Sequence, residues 1–174
     1  STLFLSKKIA HLEQLPSTFI CASAIGYYGD RGDEILQESS KFGTGFLADV
    51  TGEWEAATAP ATAKGIRVVN MRIGVVLAKQ GGALAKLLTP FKLGAGGIVG
   101  NGKQYWSWIS LDDVVGAFNF ALMNKPVEGA VNAVSPNAVT NAEFTKLLGE
   151  VLERPTILPL PAFVAKMALG ELAD

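Results

Sequence analysis

"TFICASAIGYYGDRGDE" (Thr18–Glu34) decides how the chain is read. Its first seven residues, Thr18–Ala24, form a continuous, mostly apolar run, the pattern of a strand covered on both faces in a parallel sheet. Behind it stand Gly26, Gly29 and Gly32 at the G-x-x-G-x-x-G spacing. A strand followed by spaced glycines suggests a phosphate-binding loop. Such a loop needs a helix to begin at once, so that its N-terminal N–H groups face the phosphates. Here Tyr27 and Tyr28 fill the gaps with bulk, and Asp30, Asp33 and Glu34 would set negative charge beside a phosphate. No amphipathic helix begins before Phe46, and no acidic residue ends a second strand at about 20 residues on, where a ribose ligand belongs. The stretch therefore reads as a tight turn leaving a buried strand, with glycine where φ is positive.

The flanking segments alternate helix and strand. Before the strand, Leu5, Ile9 and Leu12 stand at helical spacing within residues 1–14, ahead of Pro16. After it, residues 30–44 are polar and read as a long loop. Phe46, Val50 and Trp54 lie four apart and predict a helix over Phe46–Ala59 with an apolar stripe. Ile66–Leu77 reads as a second buried strand. "ALAKLLTPFKLG" reads as a short helix kinked or ended near Pro90, and "GAGGIVGNGKQYWSWI" as turns leading to a short edge strand. "SLDDVVGAFNFAL" predicts a helix, with Ser110 three residues before Asp113 as its cap. Ala130–Val134 is a short strand. Thr140 with Glu143 forms a capping box for a helix striped by Phe144, Leu147, Leu148, Val151 and Leu152. A last helix is expected from about Pro161. The alternation predicts an α/β fold with a mainly parallel sheet, and residues 1–174 as a single domain.

Composition narrows the function. The 174 residues carry 15 basic and 16 acidic side chains, a net charge of -1. That balance offers no electrostatic case for nucleic acid or an anionic membrane. No apolar run approaches the ~20 residues needed to cross a bilayer. The one cysteine, Cys21, excludes an intrachain disulfide and is expected as a buried, inert thiol. A cytoplasmic setting is the expectation.

"CASAIGYYGD", "GFLADVTGEWEAAT", "RVVNMRIGVVLA", "GNGKQYWSWISLDDVVGAF" and "VNAVSPNAVTNAEFTKLLGEVLERP" resemble, in this order, the extended short-chain dehydrogenase/reductase superfamily. More narrowly they resemble its epimerase-like branch, labelled nucleoside-diphosphate-sugar epimerase. "WISLDDVV" and "N…VTNAEF" are the most specific blocks. The resemblance implies a partial Rossmann-type sheet and a small C-terminal substrate-binding part. It implies NADP, or NAD, as cofactor, bound mainly by an N-terminal half that carries the phosphate loop and precedes these residues. It implies redox or epimerase chemistry on a small, nucleotide-sugar-like substrate. "SAIGYYG" then matches the end of the strand that carries the catalytic Ser or Thr, an active-site wall and not a phosphate cradle.

The superfamily's Tyr-x-x-x-Lys, in which Tyr moves a proton and Lys lowers its pKa, is absent. Four residues after Tyr27, Tyr28 and Tyr105 stand Arg31, Gly32 and Ile109, and the matching helix pairs Phe46 with Val50 or Leu47 with Thr51. A second reading follows: a non-catalytic NADP(H)-binding sensor or interaction protein. The candidates left are Ser23 and Tyr28 as catalytic groups, with strand-end hydrogen bonding and plain packing as their alternatives. Ala22, Ser23, Arg72 and Ile73 are the cofactor-side positions implied by the resemblance. Arg72, Trp106 and Trp108, with Lys103 and Gln104, are substrate candidates. Arg72 sits in a buried strand and needs either a structural carboxylate or a bound anion. Glu55 reads as a solvated helix residue, with a base as the alternative. Asp112 and Asp113 read as helix-start residues and His11 as surface. No metal site is expected. An open strand edge leads to the expectation of a homodimer or of pairing with the missing half.

Overall fold

The structure, a computed structural model, describes residues 1–157. The helix expected from Pro161 lies outside the described residues. The elements run α1 (Thr2–Ile9), β1 (Thr18–Ala24), a 3-10 turn (Ile25–Tyr28), α2 (Phe46–Ala56) and α3 (Ala59–Thr62). There follow β2 (Arg67–Ile73), β3 (Val75–Leu77), α4 (Gly82–Lys92), β4 (Tyr105–Trp106), β5 (Trp108–Ser110), α5 (Leu111–Met123), β6 (Gly129–Ala133), β7 (Val139–Thr140) and α6 (Asn141–Leu152). The class is α/β with mainly parallel pairing.

The chain divides into two compact units. The first holds Ser1–Gly74 and Asp112–Val134, the second Val75–Leu111 and the described residues from Ser135 onward. The first unit is built on a three-stranded parallel sheet in the order β1-β2-β6. Its register sets Ser23 beside Arg72 and Arg72 beside Asn132. Val69 and Met71 are fully buried on β2. On the other face Val68, Ile66 and Ala61 form a core against which Ile9 and Phe19 pack. Ser6 ties α1 to α3: its hydroxyl donates to the Thr58 carbonyl (3.2 Å) and accepts from the Ala61 N–H (3.1 Å). At the C-terminal end of α5, Arg67 donates to the orphan carbonyls of Ala121 (3.0 Å) and Leu122 (3.2 Å), which no further helical turn satisfies.

Three expectations are corrected. The run Ile66–Leu77 is not one strand. It breaks at Gly74 into β2, in the three-stranded sheet, and β3, which pairs with β5 in the second unit. The α2 stripe is not the buried face: Phe46 and Trp54 are exposed, while Ala48 and Thr51 are buried. On α6, likewise, Leu147 and Val151 are exposed and Asn141, Thr145 and Gly149 are buried. The most buried positions of both helices carry mainly small or hydroxyl-bearing side chains, which allow close backbone approach. The capping box of α6 is formed, with the Thr140 hydroxyl accepting from the Glu143 N–H. Helix α4 runs through Pro90, which lies in its last turn.

Candidate functional site

β1 delivers the site's first groups. After Ala24 the chain turns through Ile25–Tyr28, and Gly29 adopts φ 65°. The next helix begins only at Phe46, so no helix N-terminus meets these glycines. Residues 29–43 instead form a compact loop closed at its neck, an Ω-type excursion. The Gly43 N–H donates to the Tyr27 carbonyl at 2.9 Å. Gly43 lies so close to the Tyr28 carbonyl that a Cβ there has no room. Phe42 packs edge-on against Tyr27, with centroids 5.1 Å apart, and covers Gly52 of α2.

Arg72 is the hub of the arrangement. It is buried, and its Nε and Nη2 donate to Oε1 and Oε2 of Glu55, each at 2.8 Å. Nη1 donates to the Tyr28 hydroxyl (3.0 Å) and to the Glu38 carbonyl (3.2 Å). The guanidinium lies 3.4 Å from the Tyr27 ring centroid, a cation–π contact. Burial alone would lower its pKa, but the bonds to Glu55 and Tyr28 more than offset this and hold it above the ordinary value. The Ser23 hydroxyl donates to Glu55 Oε1 at 2.8 Å, and the Tyr28 hydroxyl to Asn132 Oδ1 at 2.6 Å. Asn132 in turn gives its backbone N–H to Glu38 Oε1 at 2.9 Å.

Ser23, Tyr28 and Arg72 are therefore brought together. Ala22 and Ile73 flank them on β1 and β2, Ala22 exposed and Ile73 partly covered. Of the two partners open to Arg72, the structure shows a carboxylate, Glu55. Glu55 is thus not the solvated helix residue expected: its side chain is only 12% exposed. Tyr28 is buried, with its hydroxyl engaged as donor and acceptor. Ser23 has spent its proton on Glu55 and keeps lone pairs free to accept. Trp106 and Trp108 belong to the second unit. Trp106 stacks on Phe144 with centroids 4.6 Å apart, and Trp108 donates its indole N–H to the Asn137 carbonyl. Lys103 and Gln104 are exposed there.

Glu38, Asn132 and Tyr27 were not singled out from the sequence. Only the spacing Ala48, Thr51, Glu55, Thr58 carried a signal for Glu55, because these positions share one helical face. Cys21 is buried, and burial chiefly pushes its thiol pKa up. A groove of about 490 Å³ in the first unit is lined by Met71, Ala117, Phe120, Ala121, Val131 and Asn132; it touches the site at Asn132 but not at Ser23 or Arg72. Among the described residues, no cluster of three or more His, Cys, Asp or Glu is placed to hold a metal. No helix among them is long and apolar enough to cross a membrane.

No family model matches the chain. An epimerase family protein of Mycobacterium leprae (strain TN) is 48% identical over 157 residues, covering 90% of this chain and 51% of its own length. The solved nucleoside-diphosphate sugar epimerase of Corynebacterium glutamicum is 42% identical with a TM-score of 0.79, over 96% of this chain and 37% of that one. The human epimerase family protein SDR39U1 (isoform2), solved with NADPH, is 34% identical with a TM-score of 0.90, over 98% of this chain and 58% of that one.

This chain belongs to the epimerase-like family of extended short-chain dehydrogenases/reductases.

The chain spans about half the length of the curated relatives it matches. Within the family frame, the sheet β1-β2-β6 is Rossmann-like. On α2, where the family's Tyr-x-x-x-Lys helix is expected, Phe46 and Leu47 are exposed, and the buried Thr51 hydroxyl donates to its own helix at the Leu47 carbonyl (2.7 Å). Neither register supplies an ionisable pair.

Proposed function

We propose that this chain is the C-terminal portion of an NAD(P)-binding epimerase- or reductase-like protein acting on a small substrate of the nucleotide-sugar class. The observation that carries the reading is the TM-score of 0.90 to a structure solved with NADPH. NADP(H) is held mainly by a preceding half with the phosphate loop, since the glycines that directly follow β1, Gly26, Gly29 and Gly32, lead into a loop and not into a helix. Ser23 stands at the strand end where the substrate or the nicotinamide ribose is met, its free lone pairs turned to a ligand hydroxyl. Arg72 and Glu55 act behind it as positioning residues. Trp106 and Trp108 contribute to the substrate side. The compartment proposed is the cytoplasm, from the lone reduced cysteine.

A second reading rests on a separate observation. The family's proton-transfer pair is missing from α2, and both candidate hydroxyls have committed their protons inside the protein. On this reading the parent protein binds the cofactor without turnover, as a sensor. Cofactor titration and turnover of the full-length parent over a panel of nucleotide sugars separates the two. Binding with oxidation, reduction or epimerisation supports the first. Tight binding with no turnover on any substrate supports the second. No binding of NADP(H) or NAD by the parent overturns both.

A further inference from the structure

Ser23, Arg72 and Asn132 each stand one residue before the end of their parallel strands, side by side in register. Ligands of open parallel α/β sheets are met beyond those carboxyl ends. Arg72 donates to the Tyr28 hydroxyl at 3.0 Å, and that hydroxyl gives its own proton to Asn132 Oδ1 at 2.6 Å. The amide oxygen of Asn132 is thus turned toward the buried Tyr28. Its Nδ2 carries two protons that no group among the described residues accepts. Glu38 reaches the same residue. Its Oε1 accepts the Asn132 backbone N–H at 2.9 Å, while its Oε2 receives no bond from any described residue. The free nitrogen and the free oxygen are both anchored to Asn132, so they open beside one another. Asn132 is half-buried and Glu38 exposed, so a ligand can reach the pair. No cation among the described residues pairs with the Glu38 carboxylate.

We propose that Asn132 and Glu38 form a site for a sugar hydroxyl. A hydroxyl is both donor and acceptor. One that enters here gives its proton to Glu38 Oε2 and accepts one from Asn132 Nδ2. A carbonyl would use only the amide, and an ammonium only the carboxylate. The unneutralised carboxylate repels a phosphate, so the part of the ligand met here is neutral. On the nucleotide-sugar reading above, on which this assignment rests, the chain holds the sugar ring at the end of β6 and keeps the diphosphate away from it. The pair is ordered before the ligand arrives, which lowers the cost of binding. The Glu38 carbonyl accepts from Arg72 Nη1 at 3.2 Å, and the neck of its loop is closed by the Gly43 N–H on the Tyr27 carbonyl at 2.9 Å.

The test titrates the full-length parent with the methyl glycosides of glucose, galactose and mannose, with UDP-glucose and with UDP, and follows the Asn132 side-chain amide by heteronuclear NMR. At least one glycoside should shift that signal in the wild type, and UDP should leave it in place. Glu38→Gln keeps an oxygen for the Asn132 N–H and sets an amide nitrogen where the free acceptor was. The same shift should then need about tenfold more sugar, the loss expected for a bond to a charged group. Glu34→Gln, whose carboxylate is tied to Arg31 on the same loop, removes an equal charge and should titrate as wild type. Should Glu38→Gln fail to fold, Glu38→Asp, one carbon too short to hold the N–H and a hydroxyl together, carries the same expectation. The site is overturned if no glycoside shifts the signal, if the Glu38 variant titrates as wild type, or if UDP shifts it as UDP-glucose does. A parent that binds UDP-glucose with the Asn132 signal unmoved overturns the site and leaves the nucleotide-sugar reading standing. A parent that binds neither UDP compound, yet shows the Glu38-dependent shift with a glycoside, supports the site and counts against that reading.

Discussion

Arg72→Met should cost this chain a large share of its stability. The guanidinium is 4% exposed and the Glu55 side chain 12%, so the two ions are jointly sequestered. Removing the cation takes two 2.8 Å charge-assisted bonds from the carboxylate and leaves it the Ser23 hydroxyl. It also strips Tyr28 and the Glu38 carbonyl of a donor. Breaking one side of such a buried pair costs about 3–5 kcal/mol. Against a net stability of about 5–15 kcal/mol, that is roughly a fifth at the least. At about 2–4 °C per kcal/mol for a chain of this length, the melting midpoint should fall by about 6–20 °C. The double variant Arg72→Met/Glu55→Leu removes the stranded charge as well and should recover more than half of the loss. Because Glu55 and Tyr28 hold the folded Arg72 pKa above its ordinary value, the pair's contribution is fully present below that ordinary value and is lost only as pH rises through the raised one. The gap between wild type and Arg72→Met should therefore be flat between about pH 6 and 10. Thermal melts followed by circular dichroism, with urea titrations beside them, measure all of this. A single variant melting within about 2 °C of wild type, or a double variant no better than the single, would show that Glu55 does not hold Arg72 for stability.

Three further outcomes are expected. Titration calorimetry of this chain with NADP(H) should give weak binding or none, since the glycines that directly follow β1 lead into a loop and not into a helix; low-micromolar affinity would refute that. Light scattering at micromolar concentration should not find a lone 18.3 kDa species, because among the described residues β1 is an edge strand with an apolar run along it; a clean particle of that mass with well-dispersed amide spectra would show that the edge is closed. On α6, bonds from the Thr140 N–H and hydroxyl hold the Glu143 carboxyl below its ordinary value of 4.5. The cap's contribution is thus present above that value and is lost as pH falls through the lowered one. Amides in the first turn should exchange about five times faster in Thr140→Ala, and the same turn should loosen in acid; unchanged exchange in both would remove the cap from the account.

β1 was legible to the residue, because an unbroken apolar run bounded by proline and glycine has few other solutions. The same logic failed over Ile66–Leu77. Nothing in the apolar count marks Gly74 as the point where one strand leaves a sheet and another begins elsewhere. The helices α2 and α6 were placed correctly but their faces were not. Large apolar side chains were assigned to the interior, whereas Ala48, Thr51, Thr145 and Gly149 occupy it. In the site, the need of Arg72 for a partner was legible from burial alone. Its partner was not, since Glu55 stands beside Trp54 on a face taken to be wet. Glu38 and Asn132 meet across 94 positions of sequence, and no local pattern encodes such a contact.

The break at Gly74 also dictates an order of events. The backbone leaves the first unit after Gly74, returns at Asp112 and leaves again after Val134. β1 and β2 thus emerge from a ribosome before residues 75–111, and those before α5 and β6. At about 5–20 residues per second, the first two strands wait roughly three to twelve seconds until α5 and β6, which complete their sheet, have been made. During that interval Val69 and Met71 lack the strand β6 that pairs with them, which makes the nascent chain a natural client for chaperones. No single stop codon or protease cut can release the first unit whole. Dissecting it genetically demands an internal deletion, with a short linker rejoining Gly74 to Asp112.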